Sequence, residues 1–176
     1  LSKLPKELPN SGNVTYVNVD FSHQSISEQL IAAGFDRTIP TLFTLEGVSQ
    51  YITKEAVSST INELASLVEG TSSIFFMSYV DENIDKNPSA CFGKGYPNPA
   101  KKASLIMRWS EKVGEPWISF YSKEEIEDLL SQNGFSIEED VTLEDLNSIY
   151  FGPVGRTLAE NQIFKLEHFL VAILEK

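Results

Sequence analysis

The sequence predicts an α/β fold built around a mostly parallel sheet, and two observations carry that prediction. First, segments rich in β-branched and aromatic residues alternate with segments whose apolar residues recur at three- and four-residue spacing. Second, residues 73–80 are apolar almost throughout, which is typical of a strand covered on both faces of a parallel sheet. Strands that alternate with helices in this order favour right-handed crossovers within a single sheet.

The first part of the chain predicts two strands and a short helix. Residues 1–13 are a polar lead-in, and the β-branched and aromatic residues 14–19 then predict a strand. Residues 25–33 predict a short helix that a glycine stops. Residues 42–45 predict an apolar strand that follows a proline.

The middle of the chain predicts a long amphipathic helix, a buried strand and an insertion. Thr53 is a suitable N-cap for a helix that runs to about residue 69, and residues 73–80 form the strand after it. Residues 81–121 are rich in proline and glycine, so we interpret them as an insertion or lid. One helix is expected inside the insertion, over residues 99–113.

The last third predicts a helix, a strand, a short helix and a final strand. Ser122 and Glu125 have the spacing of a capping box, which indicates a helix that begins at that point. Residues 135–141 predict a weak strand, residues 142–150 a short helix, and residues 169–174 an apolar final strand.

The composition excludes several functional classes. With 25 acidic and 14 basic residues, the chain has a net charge of −11, which disfavours both nucleic acid and an anionic membrane surface as partners. A lone cysteine, Cys91, forms no intrachain disulfide. Because only His23 and His168 accompany it as nitrogen donors, we expect no metal site. This composition is typical of a cytoplasmic protein.

Three segments, taken in order, resemble the leucine carboxyl methyltransferase family. The first, residues 16–21, is a strand that ends in an acidic–hydrophobic pair. The second, residues 33–47, places an acidic residue and a glycine directly after a strand. The third begins with Gly-Glu-Pro-Trp at residues 114–117 and reaches a Gly-Phe pair at residues 134–135. Each segment is a weak signal alone, and their order makes the resemblance more specific.

The resemblance implies a Rossmann-like class I methyltransferase sheet with strand order 3-2-1-4-5-7-6, in which the last strand is antiparallel. Residues 14–19 would then be strand 3, and the strands at residues 42–45 and 73–80 would be strands 4 and 5. The strand at residues 135–141 would be strand 6, and the one at residues 169–174 would be strand 7. The first two strands, and the glycine-rich loop that follows strand 1, have no counterpart in the sequence. We therefore expect residues 1–176 to be the C-terminal portion of one methyltransferase domain, with its own N-terminal half as a partner.

The resemblance also implies which residues contact a cofactor, S-adenosylmethionine. Asp20 would accept a hydrogen bond from the adenine amino group, and Phe21 would cover the base edge. Glu46 and Gly47 would lie against the cofactor where their strand ends. The alternative for Asp20 is a carboxylate that caps a turn, and the alternative for Glu46 is an acid favoured by a helix dipole.

Aromatic residues are the candidates for a substrate pocket. Tyr51, Trp117 and Tyr121 would line the pocket of the methyl acceptor, although core packing is the competing interpretation for each of them. Trp109 has the same two interpretations. Arg108 would pair with a substrate carboxylate, or else be a solvated surface arginine. No residue is assigned a catalytic role, because neither the histidines nor the cysteine has a convincing partner in sequence.

The leading functional interpretation is an S-adenosylmethionine-dependent O-methyltransferase that transfers a methyl group to a carboxylate by in-line displacement. The acceptor would be a small molecule or the C-terminal carboxylate of a protein. Because a carboxylate is already ionised at neutral pH, no strong base is required. The first alternative is a methyltransferase-like interaction module without a cofactor, which the missing glycine loop favours. A nucleotide-dependent oxidoreductase of related fold is the second.

Overall fold

The computed structural model describes residues 12–20, 23–68 and 70–174. In the described part of the chain, the strands are β1 (Leu42–Leu45), β2 (Ser73–Val80), β3 (Phe135–Thr142) and β4 (Glu167–Leu174). The α-helices are α1 (Ile26–Ala32), α2 (Lys54–Leu67), α3 (Asn83–Lys86), α4 (Pro99–Lys112), α5 (Lys123–Gln132) and α6 (Leu143–Leu146). A π-helical segment, Asn147–Phe151, continues α6.

The four described strands form one sheet in the order β1-β2-β4-β3. Strands β1 and β2 are parallel, and β4 runs antiparallel to both of its neighbours, β2 and β3. This is the 4-5-7-6 portion of the strand order that the resemblance implies, with the antiparallel strand in the expected place. The predicted arrangement of these four strands is therefore confirmed.

Local sequence signals explain where the helices begin. The Thr53 hydroxyl accepts a hydrogen bond from the Ala56 amide at the start of α2. The capping box predicted for α5 is present: Ser122 Oγ accepts from the Glu125 amide, and the Glu125 carboxylate accepts from the Ser122 amide. A capping box satisfies two backbone donors within one turn of chain, and the Lys54 ammonium of α2 adds a bond of 2.8 Å to the Glu125 carboxylate.

Helices α2 and α5 pack against one face of the sheet and form the main core. That face carries Phe75, Met77 and Tyr79 of β2, which are all buried, and the neighbouring strand contributes Leu170 and Ala172. From the helices, the core receives Val57, Ile61, Leu64 and Leu67 of α2 and Ile126 and Leu130 of α5. The apolar residues that recur every three or four positions in α2 therefore form its buried face, as predicted.

The opposite face of the sheet is only partly covered. Leu42 of β1 and Ile74 of β2 are paired in the register on this face, and they are 62% and 43% exposed. Phe76, Val171 and Ile173 continue this face and are half-buried. The sequence predicted that strand 73–80 is covered on both faces. The prediction holds for the core face and for Ser78 and Val80 on the other face, but not for Ile74.

The predicted strand over residues 14–19 is wrong for the chain as described. Residues 14–20 have no regular secondary structure, and Val14 and Tyr16 are 47% and 58% exposed. A β-strand requires a hydrogen-bonded neighbour, and no described strand lies beside this segment. The residues of this segment favour β-structure, but that preference alone does not supply the backbone hydrogen bonds of a sheet.

The predicted insertion has its own small core and returns to the point where it left the sheet. Val80, Ile84, Cys91, Phe92, Ala103 and Leu166 form this second cluster. Burial raises the pKa of the Cys91 thiol to about 12, so it stays protonated and behaves as a packed apolar group. Asp81 and Tyr121 form a parallel bridge that closes the insertion at its base.

Candidate functional site

The site begins where β1 ends and the chain must turn at the carboxyl edge of the sheet. Gly47 adopts a φ of 63°, in the left-handed region that favours glycine. Its amide donates a hydrogen bond to Ser78 Oγ (2.9 Å), and Ser49 Oγ donates to the Ser78 carbonyl (2.9 Å). Ser78 is buried in β2, so these two bonds fix the turn against the neighbouring strand.

A cleft of about 590 Å³ opens beside this turn, and its walls come from two distant parts of the chain. Gly47 and Tyr51 form one wall, and Gly114, Glu115 and Pro116 form the other. Backbone hydrogen bonds hold the two walls together, because the Ile118 amide donates to the Gln50 carbonyl over 2.8 Å. The Ser119 hydroxyl adds a bond to the Ile52 carbonyl over 2.6 Å.

A second, more apolar cavity of about 710 Å³ adjoins the cleft and shares Tyr51 and Glu115 with it. Helix α4 supplies most of its lining. The residues that line it are Tyr51, Lys102, Leu105, Ile106, Arg108, Trp109, Ser110, Lys112, Val113, Glu115 and Trp117. A volume of this size is typical of a small-molecule site.

The structure brings together five of the residues singled out from the sequence, namely Gly47, Tyr51, Arg108, Trp109 and Trp117. Gly47 and Tyr51 line the cleft, and Tyr51 and Trp117 line the apolar cavity. The Tyr51 and Trp117 rings meet edge to face, with their centroids 6.5 Å apart. Trp109, for which core packing was the competing interpretation, is 68% exposed and lines the same cavity.

Tyr121, by contrast, lies in the main core and lines neither cavity. It is 3% exposed, and its ring meets Tyr79 edge to face at 6.3 Å. The ammonium group of Lys54 lies 4.9 Å from the centre of the Tyr121 ring. Tyr121 is placed there because it forms the bridge with Asp81 at the base of the insertion. We therefore leave Tyr121 out of the substrate pocket.

Of the two residues predicted to contact the adenine, Asp20 and Phe21, the structure describes only Asp20. Asp20 is exposed, and its backbone forms a turn in which its amide donates to Gln24 Oε1 and its carbonyl accepts from the Gln24 amide, both over 2.8 Å. Phe21 lies outside the described residues. Glu46 is exposed at the carboxyl edge and lines neither cavity.

Sequence reasoning missed a polar cluster that joins three strands at the same edge of the sheet. His168 Nδ1 lies 2.8 Å from Asp140 Oδ1, and His168 Nε2 lies 3.4 Å from Asp81 Oδ2. The Tyr79 hydroxyl donates to Asp140 Oδ2 over 2.9 Å, and the Tyr79 ring stacks on the imidazole at 4.7 Å. No spacing signal links these residues, because strand pairing alone brings them together.

The cluster holds His168 as a cation. Burial lowers the pKa of His168, but the hydrogen bonds and charges of Asp140 and Asp81 outweigh it and raise the pKa to about 9. Burial likewise raises the pKa of Asp140, yet the bond from His168 outweighs it, so the pKa of Asp140 lies below its ordinary value. An imidazolium with both nitrogens engaged is a poor base, which argues for a structural role.

Two further observations bear on function. Among the described residues, no group of three histidine, cysteine, aspartate or glutamate side chains is placed to hold a metal ion. Within the same residues, no helix has the length and apolarity needed to cross a membrane.

Comparisons with known proteins support the resemblance. Residues 1–65 match the leucine carboxyl methyltransferase family. The chain is 32% identical over 162 residues to YktD of Bacillus subtilis (strain 168), which is named as a candidate S-adenosyl-L-methionine-dependent methyltransferase. The match covers 92% of this chain and 49% of YktD, so the chain spans about half the length of this relative.

Solved structures share the fold. A DUF574 family protein from Streptomyces avermitilis is 15% identical with a TM-score of 0.55, over 89% of this chain and 53% of that one. Mycolic acid cyclopropane synthase CmaA1, solved in complex with SAH and CTAB, is 12% identical with a TM-score of 0.50, over 80% of this chain and 57% of that one. At these identities the likeness concerns the fold, a Rossmann-like class I methyltransferase sheet. The match over residues 1–65 and the similarity to YktD confirm the predicted resemblance to the leucine carboxyl methyltransferase family.

Proposed function

We propose that the chain is the C-terminal portion of an S-adenosylmethionine-dependent methyltransferase that transfers a methyl group to an oxygen atom, with a carboxylate as the acceptor. The observation that carries the proposal is the cleft between Gly47 and residues 114–116, at the carboxyl edge of the sheet. Ligands of open α/β sheets bind at this edge. The relatedness to YktD supports the choice of cofactor.

The exposed edge of β1 supports the idea of a partner half. Within the described residues, β1 pairs with β2 alone, so its other edge carries unpaired backbone groups. In the strand order implied by the family, two further strands would continue the sheet from this edge. We propose that the protein's N-terminal half pairs there and supplies the glycine-rich loop.

The residues present fit one side of the cofactor. Apart from Gly47 and its two chain neighbours, no heavy atom of the described residues lies within 4 Å of the position that a Cβ on Gly47 would occupy, so a ligand can approach this backbone closely. The exposed Glu46 carboxylate beside it is suited to accept hydrogen bonds from hydroxyl or amino groups. When bound, S-adenosylmethionine supplies an electrophilic methyl group on a sulfonium.

The contribution of the chain itself is orientation and exclusion of water. Tyr51 lies where the cleft and the apolar cavity meet, so it is placed to orient the acceptor. The paired Tyr51 and Trp117 rings form an apolar wall that limits hydration of the acceptor oxygen. An ionised carboxylate needs no base, and holding it in line with the reacting bond lowers the barrier entropically.

Calorimetric titration of S-adenosylhomocysteine tests the proposal, with this chain extended by its natural upstream sequence. We expect binding by the extended protein and a Kd about tenfold weaker in Glu46→Gln, because a charged hydrogen-bond acceptor is lost. Glu28→Gln, which removes an exposed acid from α1, is the matched control and leaves the Kd unchanged.

Two results would contradict parts of the proposal. If the extended protein does not bind S-adenosylhomocysteine, the enzymatic function is wrong and an interaction module becomes the better account. If it binds but Glu46→Gln has no effect, the cofactor stands and Glu46 is not one of its ligands.

A further inference from the structure

One face of helix α4 is apolar and unusually exposed. Leu105 and Trp109 of this helix and its C-cap residue Val113 follow one another at four-residue spacing and are 46%, 68% and 49% exposed. All three line the apolar cavity together with Tyr51 and Trp117. An exposed tryptophan in a concave apolar site is typical of a surface that binds an apolar ligand.

The same cavity is basic, although the chain as a whole is strongly acidic. Lys102, Arg108 and Lys112 line it, and Glu115 is the single acidic lining residue, so the lining has a formal charge of +2. The whole chain has a net charge of −11. A local excess of cations in an acidic protein attracts an anionic ligand and repels a cationic one.

The basic groups of the lining are available to a ligand. Within the described residues, no carboxylate lies within 4.0 Å of the charged groups of Lys102, Arg108 or Lys112. Arg108 Nε donates a long bond of 3.4 Å to the Ser104 carbonyl, and the Lys102 ammonium lies 5.6 Å from the Phe164 ring. The fork of the Arg108 guanidinium suits bidentate binding of a carboxylate or phosphate.

The cations are separated from the place where methyl transfer would occur. All three line the apolar cavity, and none of them lines the cleft beside Gly47. Tyr51 and Glu115 are the residues common to both spaces. An anionic group held by Arg108 or Lys112 is therefore distinct from a methyl acceptor positioned in the cleft.

We propose that the substrate is an amphiphilic anion: an apolar body that fills the cavity along α4, with an anionic group bound by Arg108 and Lys112 apart from the methyl-accepting atom. This inference rests on the proposed function only in naming the ligand a substrate. The binding site itself needs no cofactor, so it is testable independently of methyl transfer.

Octanoate and 1-octanol are matched probes, because they share an alkyl chain and differ in charge. The chain contains two tryptophans, Trp109 and Trp117, and both line the cavity, so tryptophan fluorescence reports directly on its occupancy. We expect octanoate to change the fluorescence saturably. The Kd for octanoate should be about fivefold weaker in the Arg108→Gln/Lys112→Gln variant, while the response to 1-octanol is unchanged.

Lys101→Gln is the matched control, because it removes a positive charge from the same helix at a residue outside the cavity lining. Thermal melting of each variant verifies that the fold is retained. Equal affinity for octanoate and 1-octanol, an equal effect of Lys101→Gln, or no saturable response would each overturn the proposal.

The titration is repeated on the chain extended by its upstream sequence. Loss of octanoate binding there would mean that the protein's own N-terminal half covers α4, and it would overturn the proposal. Octanoate binding without S-adenosylhomocysteine binding would leave the anion site standing and remove the methyltransferase function. The reverse result would keep the function and remove the anion site.

Discussion

At the scale of single residues, His168 is the group whose surroundings have the clearest consequence. It is paired on both ring nitrogens, with Asp140 and Asp81, and it is stacked on Tyr79. Because the pairing raises the pKa of His168 from 6.5 to about 9, the folded state binds a proton that the unfolded chain releases. The stabilisation is complete below pH 6.5 and is lost as the pH rises through 9.

The free energy of unfolding should therefore fall between pH 6.5 and pH 9.5, and His168→Gln should flatten this dependence. The shift of the pKa corresponds to about 3 kcal/mol at most. Denaturant unfolding at a series of pH values measures it. His23→Gln, at an exposed histidine, is the control and keeps the wild-type slope. A wild-type slope in His168→Gln would contradict the assignment.

Asp140 of the same cluster makes stability depend on pH in the opposite direction, since its contribution is lost as the pH falls. The pKa of Asp140 lies below its ordinary value of 3.8, so its contribution is present above that pH and is lost on further acidification. The cluster as a whole is most stabilising between about pH 4 and pH 6.5, where both carboxylates and the imidazolium are charged.

At the scale of elements, Gly93 controls how the insertion packs against the loop before β4. Its amide donates to the Ile163 carbonyl over 3.0 Å. A Cβ at this position would lie 1.9 Å from the Glu160 carbonyl oxygen, which is backbone and cannot rotate away. The glycine is therefore required by close approach of two chain segments rather than by its φ.

Gly93→Ala should lower the free energy of unfolding by about 3 kcal/mol, because the two backbones must separate. The melting temperature and the denaturant midpoint measure the change. Gly12→Ala is the control, since among the described residues no heavy atom beyond its own chain neighbours lies within 4 Å of its Cβ position. Similar stabilities for the two variants would show that the loops separate without cost.

Elements whose signals are local were predictable, and those that depend on partners were not. Ser122 and Glu125 lie within one four-residue segment and form the capping box of α5, so the start of this helix can be predicted from the sequence. Residues 14–19 have strand propensity, but a strand also needs a neighbour. Nothing in the sequence distinguishes Tyr51 from Tyr121 as a pocket residue. Tertiary packing places Tyr51 in the cavity lining and Tyr121 in the main core. Trp109 and Arg108 of α4 were named from the sequence as pocket candidates and both line the cavity, whereas the other residues of α4 that line it were not named.

At the scale of the whole molecule, the sheet is covered unequally. One face packs against α2 and α5, while the other presents Leu42 and Ile74 to solvent. Large exposed apolar patches on a soluble protein mark interaction surfaces or drive association. The exposed backbone of β1 lies beside this patch and adds to the effect.

The 176-residue chain on its own should therefore self-associate as its concentration rises, and Ile74→Lys should reduce the association. Sedimentation velocity at several concentrations measures the change. Val14→Lys, at a residue of similar exposure outside the sheet, is the control and leaves the association intact. A monomer at all concentrations would show that the open face is tolerated in water.

The bridge between Asp81 and Tyr121 has an evolutionary consequence. It joins the two ends of the insertion by backbone bonds, since the Tyr121 amide donates to the Val80 carbonyl and the Glu82 amide donates to the Tyr121 carbonyl. Apart from Tyr51, every residue that lines the apolar cavity lies between those ends. Because both ends of the segment are held at one place on the sheet, the residues that line the cavity can change in evolution without altering the pairing of β2 with its neighbours.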